Sequence, residues 1–166
     1  QLEIYSNDLE KLVAERTKDL SLANQKLSSI INFCADGIII LDKKGNIEQV
    51  NPACENMTGL SESALIKKKF QQIAYIDDKY ENIAADNKSG NIFGLDIDNS
   101  EILLKDCYIL NTLGDTKTPV EINFASIIDE AGSEPEKFVG VIRDVSTQKE
   151  TERLRDDFIA TLTHDL

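Results

Sequence analysis

Ala35-Asp36-Gly37-Ile38-Ile39-Ile40-Leu41-Asp42-Lys43-Lys44-Gly45-Asn46-Ile47-Glu48-Gln49-Val50-Asn51-Pro52 is where the chain stops reading as helix and starts reading as sheet. Ile38 to Leu41 is a continuous apolar and β-branched run, bounded by turn chemistry, as a buried strand requires. Asp42 to Asn46 supplies the turn, with Gly45 free to take positive φ. Ile47-Glu48-Gln49-Val50 alternates as a half-buried strand, and a β-hairpin is the simplest account. Asn51-Pro52 opens a short helix, since Pro is tolerated in a first turn, and Gly59 closes it.

Downstream, Ser61-Glu62-Ser63-Ala64 opens another helix and the stretch 77–87 reads as a third. Three longer extended runs follow: 102–110, 119–128 and 138–145. Gly114-Asp115 and Ala131-Gly132-Ser133 are the turns between them. Two strands, a few short helices and three strands predict an antiparallel α+β domain of roughly 110 residues, an ordinary domain size.

Upstream, Leu2 to about Cys34 contains neither Pro nor Gly. Ser6, Val13, Leu20, Leu27 and Cys34 fall on one heptad position, with Leu2, Leu9, Arg16, Ala23 and Ile30 on the other. The seam is broken only at Ser6 and Arg16, and the remaining faces carry charged and amide side chains. So narrow a stripe predicts a parallel two-stranded coiled coil; the alternative is one amphipathic helix lying on its own domain. From Thr147 the chain is again helix-compatible to its end. Leu154, Phe158, Thr161 and Leu162 form its stripe, and Ser146 or Thr147 with Glu150 is its capping signal. Asp144 is placed to accept hydrogen bonds from this linker or to pair with a base.

Composition narrows the function. The 166 residues carry 30 acidic and 18 basic side chains, a formal charge of −12, which disfavours nucleic acid as a partner. No apolar run approaches the roughly 20 residues that cross a bilayer, and Gln1 does not begin a signal peptide. The expectation is a cytoplasmic segment without membrane contact of its own, whatever anchor its parent carries upstream. Cys34, Cys54 and Cys107 have no paired spacing and suit a reducing compartment better than disulfides or zinc. Asp96 to Glu101 imitates the opening of a calcium loop, but Glu101 stands where Gly is needed and Cys107 where the closing Glu belongs. Lys67-Lys68-Lys69 reads as a solvated face.

The only histidine, His164, stands beside Asp165. Imidazole is nucleophilic and proton-accepting near neutral pH, and a neighbouring acid can orient the ring or take its proton. A solvent-facing His at a helix end is the ordinary alternative.

Together these motifs resemble known families. Ala35 to Asp42, Gly45-Asn46-Ile47, Val50-Asn51-Pro52-Ala53, Thr58-Gly59 and Val139 to Ser146 look like a PAS domain. Phe158-Ile159-Ala160-Thr161-Leu162-Thr163-His164-Asp165-Leu166 resembles the phosphoacceptor box of sensor histidine kinases of two-component systems. The stretch Leu12 to Asn24 looks like the signalling linkers of such kinases.

The resemblance implies a PAS fold with a five-stranded antiparallel sheet and short helices. It implies a coiled-coil helix over residues 1–33, a sensor domain over 34–146, and a linker helix over 147–166 that starts the dimerisation and phosphotransfer domain. By the same resemblance His164 takes phosphate, Asp165 orients it or acts as base, and Asp144-Val145-Ser146 hands the signal to the output helix, unless it is an ordinary cap. A response-regulator receiver domain and a second copy in a parallel homodimer are the implied partners.

ATP and magnesium belong to a catalytic domain, since no phosphate loop is present here and this stretch is expected to be inactive alone. Within the sensor domain a haem lacks its histidine. Lys67 to Gln72 stands where photoreactive flavin domains carry their cysteine, and Cys54 reads as a packing residue on the earlier helix. An unknown small molecule or a core filled by side chains remains. The alternatives in function are a PAS module feeding another output, such as a cyclic-nucleotide-signalling enzyme, and a non-enzymatic dimerisation adaptor.

Overall fold

The hairpin forms where the alternation places it. β1 (Gly37–Asp42) and β2 (Ile47–Val50) pair antiparallel, and Gly45 between them takes φ 76°. The Asp42 carboxylate holds the turn, accepting from the Lys44 and Asn46 amides at 2.7 and 2.9 Å and from the Asn46 side chain at 2.7 Å. Partial burial pushes the Asp42 carboxyl up. The hydrogen bonds from Asn46 and Lys44 and the Lys44 charge outweigh it, leaving this acid below its ordinary range.

The computed structural model describes residues 2–76, 102–113, 116–128 and 135–164. The chain divides into two units, residues 1–34 and 35–166. The first is a single helix, α1 (Leu2–Phe33), about 48 Å long at 1.5 Å per residue, and it buries none of its residues. Leu9, Val13, Leu20, Leu27 and Ile30 are all exposed along it.

In the second unit the hairpin is followed by α2 (Pro52–Thr58), α3 (Glu62–Leu65), a 3-10 turn (Phe70–Gln72) and β3 (Ala74–Ile76). Then come β4 (Ile102–Asn111), β5 (Thr116–Ile128), β6 (Pro135–Asp144) and α4 (Ser146–His164). The strands form one antiparallel sheet in the order β2-β1-β6-β5-β4-β3. The sheet has six strands where five were expected. β3 is three residues long, too short for a period-two pattern to announce it, and is made by pairing against Cys107–Ile109. β5 begins at Thr116, ahead of Pro119. The expected helix over 77–87, the rejected calcium loop and the two glycine turns lie outside the described residues.

Alternation sets the core. Ile39 and Leu41, Ile47, Cys107 and Ile109, Val120, Ile122 and Phe124, and Phe138 and Ile142 turn one face of the sheet inward. Cys54, Leu65, Phe70 and Ile73 close over that face from the helical segment. Phe70 meets Phe124 edge to face, with centroids 5.4 Å apart and planes at 86°.

Gly140 admits this arrangement. It lies between Ile39 and Phe124 across three central strands, and a Cβ there would come within 2.6 Å of the Phe124 ring and 2.8 Å of Ile39 Cγ2. Gly140→Ala should therefore destabilise the domain by about 1–3 kcal/mol, seen as a lower urea midpoint with an unchanged slope. An unaltered midpoint would show that the three strands are not packed this closely.

Candidate functional site

Sheet turns into output helix at Asp144-Val145-Ser146, and backbone chemistry fixes how. β6 ends at Asp144. Val145 is buried, 4% exposed, and its N–H donates to the Pro119 carbonyl of β5 at 3.0 Å. Its own carbonyl accepts from Lys149 N–H at 2.9 Å, the first hydrogen bond of α4. The Asp144 carboxylate accepts from Ser146 N–H at 2.8 Å, satisfying an orphan donor and placing negative charge at the helix's positive end.

One detail of the cap differs from expectation. The chain is already helical at Ser146, so Asp144 is the side-chain cap and Thr147 with Glu150 forms no capping box. Glu150 instead approaches Arg153 at 3.4 Å.

Further contacts tie the junction to the sheet. Arg143 lies 3.3 Å from Asp36, just before β1. The Asp36 carbonyl accepts from Asn51 Nδ2 at 3.0 Å, and Asn51 Oδ1 accepts from the amides of Ile38 at 2.8 Å and Cys54 at 3.2 Å. One buried asparagine thus caps α2 and anchors the start of β1. On the other side of the junction, Lys149 Nζ stands 2.9 Å from Asp106 Oδ1 and 5.4 Å above the Tyr108 ring. The sequence reading missed Asp106 and Lys149. Asp106 leaves one local trace, the consecutive polar pair Lys105-Asp106 that interrupts the alternation of β4, and Lys149 leaves none.

α4 runs without interruption from Ser146 to His164, with Leu154, Phe158, Ile159 and Leu162 exposed. The structure thus brings Asp144, Val145 and Ser146 together at one end of α4 and places His164 as the last described residue of that helix. Asp165 lies outside the described residues.

The cysteines divide by surroundings. Cys54 is buried, its thiol donates to the Ile38 carbonyl at 3.3 Å, and burial pushes it up to about 12, as its packing role requires. Burial, reinforced by the Asp106 charge, raises Cys107 to about 11. Neither is a nucleophile at neutral pH. Among the described residues no group of three His, Cys, Asp or Glu side chains is gathered to hold a metal ion. Among them, too, no helix is long and apolar enough to cross a membrane.

In the second unit the last strand of the sheet leads directly into a long helix. Residues 35–147 match the family model described as PAS domain, and the chain belongs to that family. Over its whole length it is 28% identical to the sensor protein kinase WalK of Staphylococcus haemolyticus, aligning with 24% of that protein. It is likewise 28% identical to sensor protein kinase WalK of Staphylococcus aureus, covering 36% of that sequence. The chain therefore spans about a quarter to a third of the length of these curated relatives.

Two solved structures share the fold. The PAS domain of an HTR-like protein from Haloarcula marismortui aligns with TM-score 0.62 at 17% identity, over 79% of this chain and 98% of that one. A domain of a sensory box sensor histidine kinase/response regulator from Geobacter sulfurreducens aligns with TM-score 0.56 at 16% identity, over 77% and 99%.

Asp144→Ala removes the acceptor on Ser146 N–H and should weaken the start of α4 by about 1 kcal/mol, whereas Asp144→Asn keeps an oxygen and most of the cap. Amide exchange at Lys149 to Thr151 should accelerate severalfold in the first variant and little in the second. Equal exchange in both would show that the carboxylate does not hold the helix end.

Proposed function

We propose that this chain is the sensory and relay segment of a two-component sensor histidine kinase, with His164 as its phosphoacceptor. The observation that carries the reading is the extent of the match to the WalK sensor kinases. The alignment runs the full length of this chain, beyond the PAS domain at both ends. The continuity of α4 supports it: about 27 Å of helix joins its start at the sheet to the histidine.

In the proposed reaction the neutral His164 imidazole attacks the γ-phosphorus of ATP held by a catalytic domain elsewhere in the parent protein. A nitrogen–phosphorus bond forms, the bond to the bridging oxygen breaks, and ADP leaves. The ring proton passes to Asp165, which orients the imidazole. Magnesium on the nucleotide supplies the charge neutralisation that dominates phosphoryl transfer. The phosphoryl group then moves to an aspartate on a response-regulator receiver domain, which places the segment in the cytoplasm with its nucleotide.

The stripe on α1 supports a parallel homodimer, because Leu9, Val13, Leu20, Leu27 and Ile30 stay exposed on a 32-residue helix until a second copy covers them. The exposed stripe of α4 suits the same partner. Haem and flavin have no part in the proposal. The edge-to-face Phe70–Phe124 pair favours an inner face filled by side chains, or one that admits a small ligand by moving them.

Reconstitution with the ATP-binding part should give a protein that takes up label from γ-labelled ATP, and His164→Gln should abolish that uptake while leaving the urea midpoint of the sensor domain unchanged. Retention of label by His164→Gln would refute the assignment.

A further inference from the structure

We propose that Asp106 and Lys149 form a latch between β4 and α4, through which the state of the sheet sets the start of the output helix; the regulatory half of this rests on the kinase reading above. The latch is built into the strand. Leu104 pairs with Ile122 and Cys107 with Val120, so β4 spends one residue more than β5 over this interval. The extra residue makes a bulge, a feature that re-aims side chains locally.

Asp106 sits in it at φ 57°, a left-handed conformation that aspartate tolerates better than most residues. The re-aimed carboxylate reaches Lys149 Nζ at 2.9 Å, across 43 positions of sequence. Lys149 is also the residue whose N–H closes the first turn of α4 on Val145, so its side chain and its backbone hold the same turn from two directions.

These contacts close a ring. Asp106 binds Lys149 and Lys149 lies over Tyr108. Tyr108 pairs with Pro119 in β5, the Pro119 carbonyl accepts from Val145, and the Val145 carbonyl accepts from Lys149. The residues flanking the bulge on its other side, Cys107 and Ile109, face the core. A ligand or repacking that displaces β4 from the inside therefore moves Asp106 relative to Lys149. The pair itself is partly exposed, so its strength suits biasing an equilibrium more than holding the fold.

Coupling of this kind is reciprocal, which separates it from a simple surface contact. Asp106→Asn, Lys149→Gln and the double variant of the 166-residue chain are compared by amide exchange at Glu150 to Arg153 in α4 and at Cys107 to Ile109 in β4. Each single change should raise exchange at both places by about two- to fivefold, the range of an exposed ion pair, and the double variant should add nothing further. Asp106→Gly, which relaxes the backbone, should behave like Asp106→Asn.

Additive effects, or loosening of α4 without β4, would overturn the latch. In the reconstituted kinase Asp106→Asn should change the rate of His164 labelling by a similar factor, and an unchanged rate would overturn its regulatory role. Should the wild-type kinase never label His164, the kinase reading fails alone, and the exchange cycle still decides whether the latch exists.

Discussion

Val145 cannot leave the sheet without carrying α4 with it. Its side chain is buried, its amide is bonded to Pro119 and its carbonyl to Lys149, so the last residue after β6 is also the foundation of the first helical turn. A flexible linker at this point would let sensor and helix reorient independently. A single buried aliphatic residue with both backbone groups engaged makes the helix direction a property of the sheet. The Asp144 cap, the Arg143–Asp36 pair and the Asp106–Lys149 pair each refine a geometry that this burial imposes.

The energetic scale of those refinements matters for function. Exposed ion pairs and single caps contribute on the order of 1 kcal/mol or less each, small against the core formed around Phe70, Phe124 and Gly140. Losing one leaves the domain folded, and a shift of about 1.4 kcal/mol between two arrangements of a helix changes their ratio tenfold. Such contacts are therefore suited to switching. Further along α4 the Thr161 and Thr163 hydroxyls donate to the carbonyls of Asp157 and Ile159 in the preceding turn, a pattern that slightly weakens and bends helices, close to the proposed acceptor.

Much of the fold was legible because the residues that build it obey local rules. Ile38 to Leu41, Gly45 and Asn51-Pro52 announced strand, turn and helix start, and each forms as read. The alternation of Val120, Ile122 and Phe124 marked the inward face of β5. β3 was not legible, since three residues carry no period and its existence depends on a partner strand far along the chain. The side-chain cap of α4 falls to Asp144 and not to Ser146 or Thr147, because those residues and Glu150 all favour helix starts and the choice was made by where Val145 is buried. Asp106 and Lys149 were invisible as a pair: nothing local links residues that meet only after β4 bulges. The proposed role of His164 rests on its sequence neighbours, among them Asp165.

If α4 carries the sheet's state to His164 as one continuous helix, as proposed, its phase must matter. Inserting residues between Arg153 and Leu154 of the reconstituted kinase rotates everything beyond by about 100° per residue, while seven residues restore the face to near its starting position. Labelling of His164 should change sharply with insertions of one, three or four residues and return with seven. Labelling that ignores insertion length would contradict the account.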